Sequence, residues 1–146
     1  MAGARFANSS KELYNNQMEI VADASAFLAV VLNESDREWI VNKTIKAKLV
    51  APEILPYEIG NAMMAMVKRG RLVGQEAIEA YGISQRIAVK LLPVRIQDAM
   101  QIAIRFNMYA YDAYYLQCCV ERAAPLITLD ARMRATAKIL NINVVE

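Results

Sequence analysis

The chain has 146 residues, 56% of them hydrophobic and 22% charged, which is enough apolar material to bury the core of one domain. This composition excludes intrinsic disorder, and the longest apolar run, Ala26 to Leu32, is far shorter than the roughly 20 residues that cross a bilayer. Histidine is absent and there are only two cysteines, which excludes Ser-His-Asp and Cys-His catalysis and any metal site that uses imidazole.

The two cysteines and the N-terminal residues bear on the compartment and on the domain boundary. Cys118 and Cys119 are adjacent and poorly placed to bridge each other, so they indicate a reducing compartment, by default the cytoplasm. Residues 1–17 are polar and aperiodic and lack the apolar segment of a secretory signal. We predict an N-terminal extension over 1–17, either flexible native sequence or residues added to the natural chain, followed by one domain over 18–146.

Short apolar runs alternate with longer amphipathic stretches from Met18 onward. The runs predict five strands, which are Glu19–Asp23, Lys48–Ala51, Val89–Val94, Leu126–Leu129 and Ile142–Val145. The predicted helices lie between them, over 25–32, 35–46, 56–70, 74–88, 95–107, 112–123 and 130–140. Ser35 is predicted to cap the second helix, with Glu38 at capping-box spacing, and Gly70 to end the third.

Helices between successive strands are typical of crossover connections and hence of a mainly parallel sheet. The pattern therefore predicts a three-layer α/β/α domain around a mainly parallel five-stranded sheet. Ligands of such domains bind outside the carboxyl ends of the strands.

Four acids are predicted to meet at that edge. Asp23 ends the first strand and Asp130 the fourth, whereas Glu58 and Asp112 lie near the starts of the helices that face the same edge. Each has a simpler explanation, because Asp is a common helix cap and Glu58 could lie on an exposed helix face. If the four converge within about 5 Å, each like-charge pair costs roughly 3 kcal/mol at an effective dielectric near 20, so a cation is expected. An oxygen-only ligand set favours Mg²⁺ or Mn²⁺ over zinc.

The remaining charge is basic. Without the four acids, 17 basic residues face 11 acidic ones, a net charge of +6. The basic residues cluster, and the clusters of interest are Lys68, Arg69 and Arg71, and Arg132 and Arg134. Such clusters are more often an ordinary solvated face, but beside an acidic metal centre they would suit the binding of a polyanion such as RNA.

Four segments carry a family resemblance. They are EIVADAS from Glu19, LPYEIGNA from Leu55, YDAYYL from Tyr111 and PLITLD from Pro125. In order and spacing they resemble the acidic motifs of PIN-domain ribonucleases, and most closely those of VapC toxins of bacterial and archaeal toxin-antitoxin pairs. The likeness extends from Met18 to the end of the chain.

The resemblance implies a metal-dependent endoribonuclease that leaves 5′-phosphate and 3′-hydroxyl ends. Carried over by residue, Asp23, Asp112 and Asp130 would be the metal ligands for Mg²⁺ or Mn²⁺, and Glu58 would bind metal through water or accept a proton. The supporting polar groups would be Ser25, Asn61 and Thr128. Tyr109 departs from the small hydroxyl residue that relatives often have before the third acid, which puts a local hydrogen bond in doubt. Gln117–Cys119 replaces a small aliphatic stretch.

The apolar surface of the third predicted helix bears on the oligomeric state. Ile59, Met63, Met64, Met66 and Val67 make it apolar almost all round, which predicts a homodimer whose grooves, in this family, also receive an antitoxin segment. The simpler explanation is that these side chains fill the core.

Two alternatives to the nuclease remain at this point. One is a catalytically idle PIN-like scaffold that binds RNA or protein, which the four intact acids disfavour. The other is a receiver-like phospho-acceptor domain. That domain needs paired acids after the first strand and a lysine after the last, and neither is present in this chain.

Overall fold

The computed structural model describes residues 17–146, so the prediction for residues 1–17 lies outside the described residues except at Gln17. Four strands are present, namely β1 (Glu19–Ala22), β2 (Lys48–Pro52), β3 (Lys90–Leu92) and β4 (Leu126–Ile127). The helices are α1 (Ala24–Val31), α2 (Arg37–Thr44), α3 (Leu55–Lys68), α4 (Gly74–Ser84), α5 (Ile96–Phe106), α6 (Ala110–Arg122) and α7 (Ala131–Ile139).

The sheet is parallel throughout, in the order β3-β2-β1-β4. Val21 of β1 pairs with Val50 of β2 on one side and Leu126 of β4 on the other, and all three side chains are fully buried. Helices α1 to α4 pack on one another, and so do α5 to α7, with α6 lying directly on β1 and β2. The three-layer α/β/α prediction is therefore confirmed.

The prediction of a fifth strand is wrong. Residues 142–145 reach the sheet only at Val144, which forms a single parallel bridge with Leu126. Two backbone hydrogen bonds hold it there, from Leu126 N–H to Asn143 O and from Val145 N–H to Leu126 O, each 2.9 Å. Because β4 has only two residues, it offers no length for a longer ladder.

The cap predicted at Ser35 is also wrong. Helix α2 begins two residues later, after Asp36, and no side chain caps it. Asn33 has a φ of 53°, and the Glu34 N–H turns back to bond Ala29 O, so the chain is still in a turn at Ser35. By contrast, α3 ends as predicted, with Gly70 at a φ of 73° just beyond it.

Helix α3 is less exposed than its composition suggests. Ile59 and Met63 are buried in the core, Met66 and Val67 are half-buried, and only Met64 is largely exposed. The core-filling explanation is therefore correct for most of this helix. Both cysteines are free and buried in α6. Within residues 17–146, no helix has the length and apolarity to cross a membrane.

Candidate active site

Asp23 and Asp130 lie beside each other because their strands are neighbours. β1 and β4 pair at Ala22 and Ile127, and each strand is followed within three residues by its acid. Asp23 is the N-cap of α1 and Asp130 the N-cap of α7. Their carboxylates accept hydrogen bonds from the N–H groups of Ala26 and Met133, at 3.2 and 3.0 Å. The capping explanation is thus correct for both, and it places both at the carboxyl edge of the sheet.

Asp23 is bound by more than a cap. The Ser25 hydroxyl donates to its Oδ1 and the Thr128 hydroxyl to its Oδ2, both at 2.6 Å. Thr128 Oγ1 in turn accepts from the N–H of Asp130, and Ser25 Oγ from the N–H of Leu129, each at 3.0 Å. These bonds connect β1 to the segment after β4. Ser25 and Thr128 are therefore the side chains that hold the Asp23 carboxylate in place.

Glu58 approaches the same edge from the first turn of α3, whose entry is fixed by Pro56. Its Oε1 atom is buried and has no hydrogen-bond partner among the described residues 17–146. The Tyr115 hydroxyl, from α6, is likewise buried and without a partner of standard geometry, although it interacts with the Glu58 carboxyl. Burial and the Glu58 charge raise the pKa of Tyr115, so the hydroxyl stays protonated and can donate.

Asp112 is the third residue of α6 and does not cap it. The N-cap is Tyr109, which makes no side-chain capping bond and is 85% exposed, so the hydroxyl bond doubted at this position is not made. The guanidinium of Arg132 lies close enough to favour the charged form of Asp112. Arg132 itself is held by the carbonyls of Phe106 and Asn107, at 2.9 and 2.6 Å.

The four acids repel one another around a closed circuit, which we call the acidic ring. Burial raises the pKa of Asp23, and the charge of Asp130 adds to this, against the hydrogen bonds from Ser25 and Thr128. Burial, then Asp112 and Asp23, raise the pKa of Glu58, while Tyr115 opposes them. Burial and Asp130 raise the pKa of Asp112. Each acid therefore interacts with two others of the ring.

The donor atoms of the acidic ring are of the type that a hard divalent cation prefers, but the side chains are not arranged around a common point. Its donors are all carboxylate oxygens, and one of them, Glu58 Oε1, is buried with its hydrogen-bonding capacity unused. Within residues 17–146, however, no three acidic or cysteine side chains converge as ligands of one ion. Asp23 and Asp130 are each held by hydrogen bonds from their own donors, so Glu58 and Asp112 are the side chains that have to turn for a cation to be held.

The other predicted residues divide into those near the ring and those far from it. Asn61 is exposed one turn after Glu58 and lines the same cleft, but within the described part of the chain it makes no hydrogen bond to an acid. Arg134 donates to the carbonyl of Thr128, which bonds Asp23, at 3.1 Å, and its guanidinium lies 5.9 Å from the centre of the Trp39 ring. Lys68 ends α3 ten residues after Glu58, roughly 15 Å along the helix, so its cluster lies away from the acids.

Sequence reasoning missed Tyr115. Its signal is weak but present, since it lies three residues after Asp112 and hence near the same helix face, inside an otherwise apolar run that leaves its hydroxyl in need of a partner.

Comparison with known proteins identifies the fold family. Residues 20–139 match the PIN domain family. A VapC ribonuclease of Mycobacterium bovis is 30% identical over 119 residues, covering 82% of this chain and 91% of its own. Ribonuclease VapC3 of Pyrobaculum aerophilum is 26% identical over 121 residues, covering 80% and 92%.

Two crystal structures share the architecture. PAE2754 from Pyrobaculum aerophilum superposes with a TM-score of 0.65 at 24% identity, over 82% of this chain and 84% of its own. VapC20 of Mycobacterium tuberculosis, described as a sarcin-ricin loop cleaving toxin, superposes with a TM-score of 0.56 at 13% identity, over 80% and 93%. At these identities, the superpositions bear on the fold alone.

Proposed function

This chain belongs to the PIN domain family, and from that premise we propose that it is a Mg²⁺- or Mn²⁺-dependent endoribonuclease and the toxin of a type II toxin-antitoxin pair. The observation that carries the proposal is the acidic ring, in which four carboxylates from four separate segments repel one another at the ligand-binding edge of a parallel sheet. The relatives named as VapC ribonucleases support the choice of RNA as substrate.

The roles of the acids follow from how each is held. Asp23, Asp112 and Asp130 would hold the cation, and Asp23 is the best anchored because three donors fix its carboxylate. When bound, the cation would supply charge neutralisation at the scissile phosphate and a more acidic water. Glu58 has a raised pKa and a longer side chain, which suit it to accept a proton or to bind the cation through water.

Arg132 and Arg134 would hold phosphates next to the scissile one. Arg132 is already fixed by two carbonyls next to Asp112, and Arg134 by the Thr128 carbonyl, so both guanidinium groups are oriented before RNA arrives. Lys68, Arg69 and Arg71 would contact RNA only at a distance from the bond that is cut.

The proposed assembly is a homodimer with an antitoxin partner, acting in the cytoplasm. The apolar surface that favours it lies on α5 rather than on α3. Met100 and Ile104 lie one turn apart and are exposed, while Ala99 and Ala103 of the same helix pack against Ala113.

A matched pair of substitutions tests the nuclease. Asp112→Asn removes one charge of the ring with almost no change of shape. Asp98→Asn is the control, because Asp98 is also the third residue of its helix but lies half-exposed beside Arg95. In single-turnover cleavage of a structured RNA with Mn²⁺, Mg²⁺ or EDTA, Asp112→Asn should lower the rate at least about 100-fold, since even supporting partners of metal ligands are worth 10–100-fold. Asp98→Asn should cleave as the wild type does.

Two results would refute the proposal that the chain is a metal-dependent nuclease. Cleavage that survives EDTA would indicate a contaminating nuclease or another mechanism. Absence of cleavage in every variant, together with retained RNA binding, would favour the idle scaffold, to which the lack of three converging ligands in residues 17–146 also gives some support.

A further inference from the structure

Two clefts adjoin at the acidic ring and share Ile54 and Tyr111. The first, of about 490 Å³, contains Glu58 and Asn61 together with Tyr57. The second, of about 320 Å³, opens beyond Tyr111 at the carboxyl ends of β2 and β3 and is bounded by Tyr114. We call the joined clefts, with Tyr57, Tyr111 and Tyr114, the tyrosine trough.

Two of the three tyrosines are largely exposed at the trough, whereas Tyr114 is half-buried and packs against the core between α5 and α6. Tyr57 is 76% exposed and Tyr111 is 55% exposed, from α3 and α6 respectively. Tyr111 is braced edge-to-face by Tyr114, with ring centroids 6.1 Å apart and planes at 81°. A single exposed tyrosine, such as Tyr109, needs no explanation. Three that bound a continuous cleft beside a candidate reaction centre form a surface suited to a flat, apolar ligand.

The charges of the trough select among ligands. Its acids are Glu58 and Glu53, and no basic side chain among residues 17–146 lines it, so it disfavours a phosphate inside it. Aromatic rings and Asn61, whose amide both donates and accepts, suit an uncharged planar heterocycle with polar edges. Each cleft also falls in the volume range of small-molecule sites, roughly 300–1,000 Å³.

We infer that the trough takes an unpaired nucleobase of the substrate, next to the scissile phosphate. This inference rests on the proposed function, which gives RNA as the substrate. The basic groups at the ring, Arg132 and Arg134, then hold the backbone outside it. A paired base cannot enter, because its edges are used and its faces are stacked in the duplex. The trough would therefore add base stacking to the phosphate contacts of Arg132 and Arg134.

The test uses a short single-stranded RNA with 2-aminopurine at successive positions, mixed with the full chain in Mn²⁺. Stopped-flow fluorescence reports stacking before cleavage, and quench-flow reports cleavage. Tyr111→Leu should weaken binding roughly tenfold and abolish the quenching of one position, because loss of a base-stacking aromatic has an effect of about this size. Tyr111→Phe, which keeps the ring, should retain both signals.

Tyr109→Leu is the matched control, since this exposed tyrosine lies two residues away and lines neither cleft. Tyr57→Leu is a second trough variant. Because Tyr57 lies on α3, its effect does not depend on whether a substitution at Tyr111 disturbs the fold of α6. If both trough variants bind and quench as Tyr109→Leu does, the inference is overturned and the tyrosines belong to a protein partner. Quenching that depends on Tyr111 without any cleavage would uphold the trough and refute the nuclease, so the two failures are distinguishable.

Discussion

Replacing Thr128 with valine removes one hydroxyl from the centre of the site and changes the side-chain volume little. Thr128 is fully buried, and its hydroxyl donates to Asp23 Oδ2 at 2.6 Å while accepting from the N–H of Asp130 at 3.0 Å. The first bond goes to a charged group, worth about 1.5–3 kcal/mol, and the second is neutral, worth about 1 kcal/mol. Thr128→Val should therefore lower the free energy of unfolding by about 3 kcal/mol at neutral pH without metal.

Thr136 supplies the matched control. It is also buried, but its hydroxyl donates only to the Arg132 carbonyl one turn earlier in α7, at 2.9 Å. Hydrogen bonds from a hydroxyl to a carbonyl of the same helix contribute little to stability. Thr136→Val should therefore lower the free energy of unfolding by less than about 1 kcal/mol. The measurement is urea unfolding of both variants and the wild type in EDTA.

The cost of Thr128→Val should also depend on pH. Thr128 stabilises the charged form of Asp23, whose pKa burial raises above its ordinary 3.8. As the pH falls through that raised pKa, the carboxyl is protonated and the charge-assisted part of the bond is lost, so the cost should shrink toward pH 4. A cost equal to that of Thr136→Val, or one that stays constant with pH, would refute this account of how Asp23 is held.

Two further predictions follow from the acidic ring. Because the pKa values of Asp23, Glu58 and Asp112 are raised, the folded chain binds protons more tightly than the unfolded one, so metal-free stability should fall as the pH rises from about 4 through the raised pKa values. Urea unfolding at a series of pH values measures this, and saturating Mn²⁺ should remove most of the fall; a fall that is unchanged by Mn²⁺ would count against a cation at the ring. Tyr115→Phe should weaken Mn²⁺ binding roughly tenfold in calorimetric titration, because Glu58 loses the donor that favours its charged form, whereas Tyr114→Phe, one residue away on the same helix, should not.

The order of elements was predictable because apolar runs and helical periods are local properties. The starts and ends that failed depend on what lies across the fold. Residues 142–145 have the composition of a strand, but they meet β4 only at a single bridge to Leu126, and β4 ends at Ile127. Ser35 and Glu38 have capping-box spacing, but the turn at Asn33 delays the helix beyond them. The mainly parallel topology determines the edge of the sheet at which the acids meet. The length of an adjacent strand, by contrast, cannot be predicted from a local sequence pattern.

The site was predictable to the level of which segments meet, and not to the level of side-chain orientation. That Asp23 and Asp130 end strands follows from the sequence, and parallel strands bring such residues to one edge. That Thr128 bonds both of them depends on β1 and β4 being neighbours. Asn61 and Tyr115 both lie in quoted motifs, but Asn61, which was given a role, is exposed, whereas Tyr115, which was given none, interacts with Glu58.

The four acids are held in two different ways, and this explains how the ring exists without three oxygens converging. Asp23 and Asp130 follow neighbouring strands and are each fixed by an N–H group at a helix start. Glu58 and Asp112 come from helices, and within residues 17–146 neither carboxylate makes a hydrogen bond of standard geometry. The repulsion is tolerated because neutral hydroxyl and backbone donors spread the charge of Asp23, the most buried of the four. A cation at this edge would therefore meet two acids already in position and draw in the two that the helices carry, so that the free energy of binding includes the side-chain turns of Glu58 and Asp112.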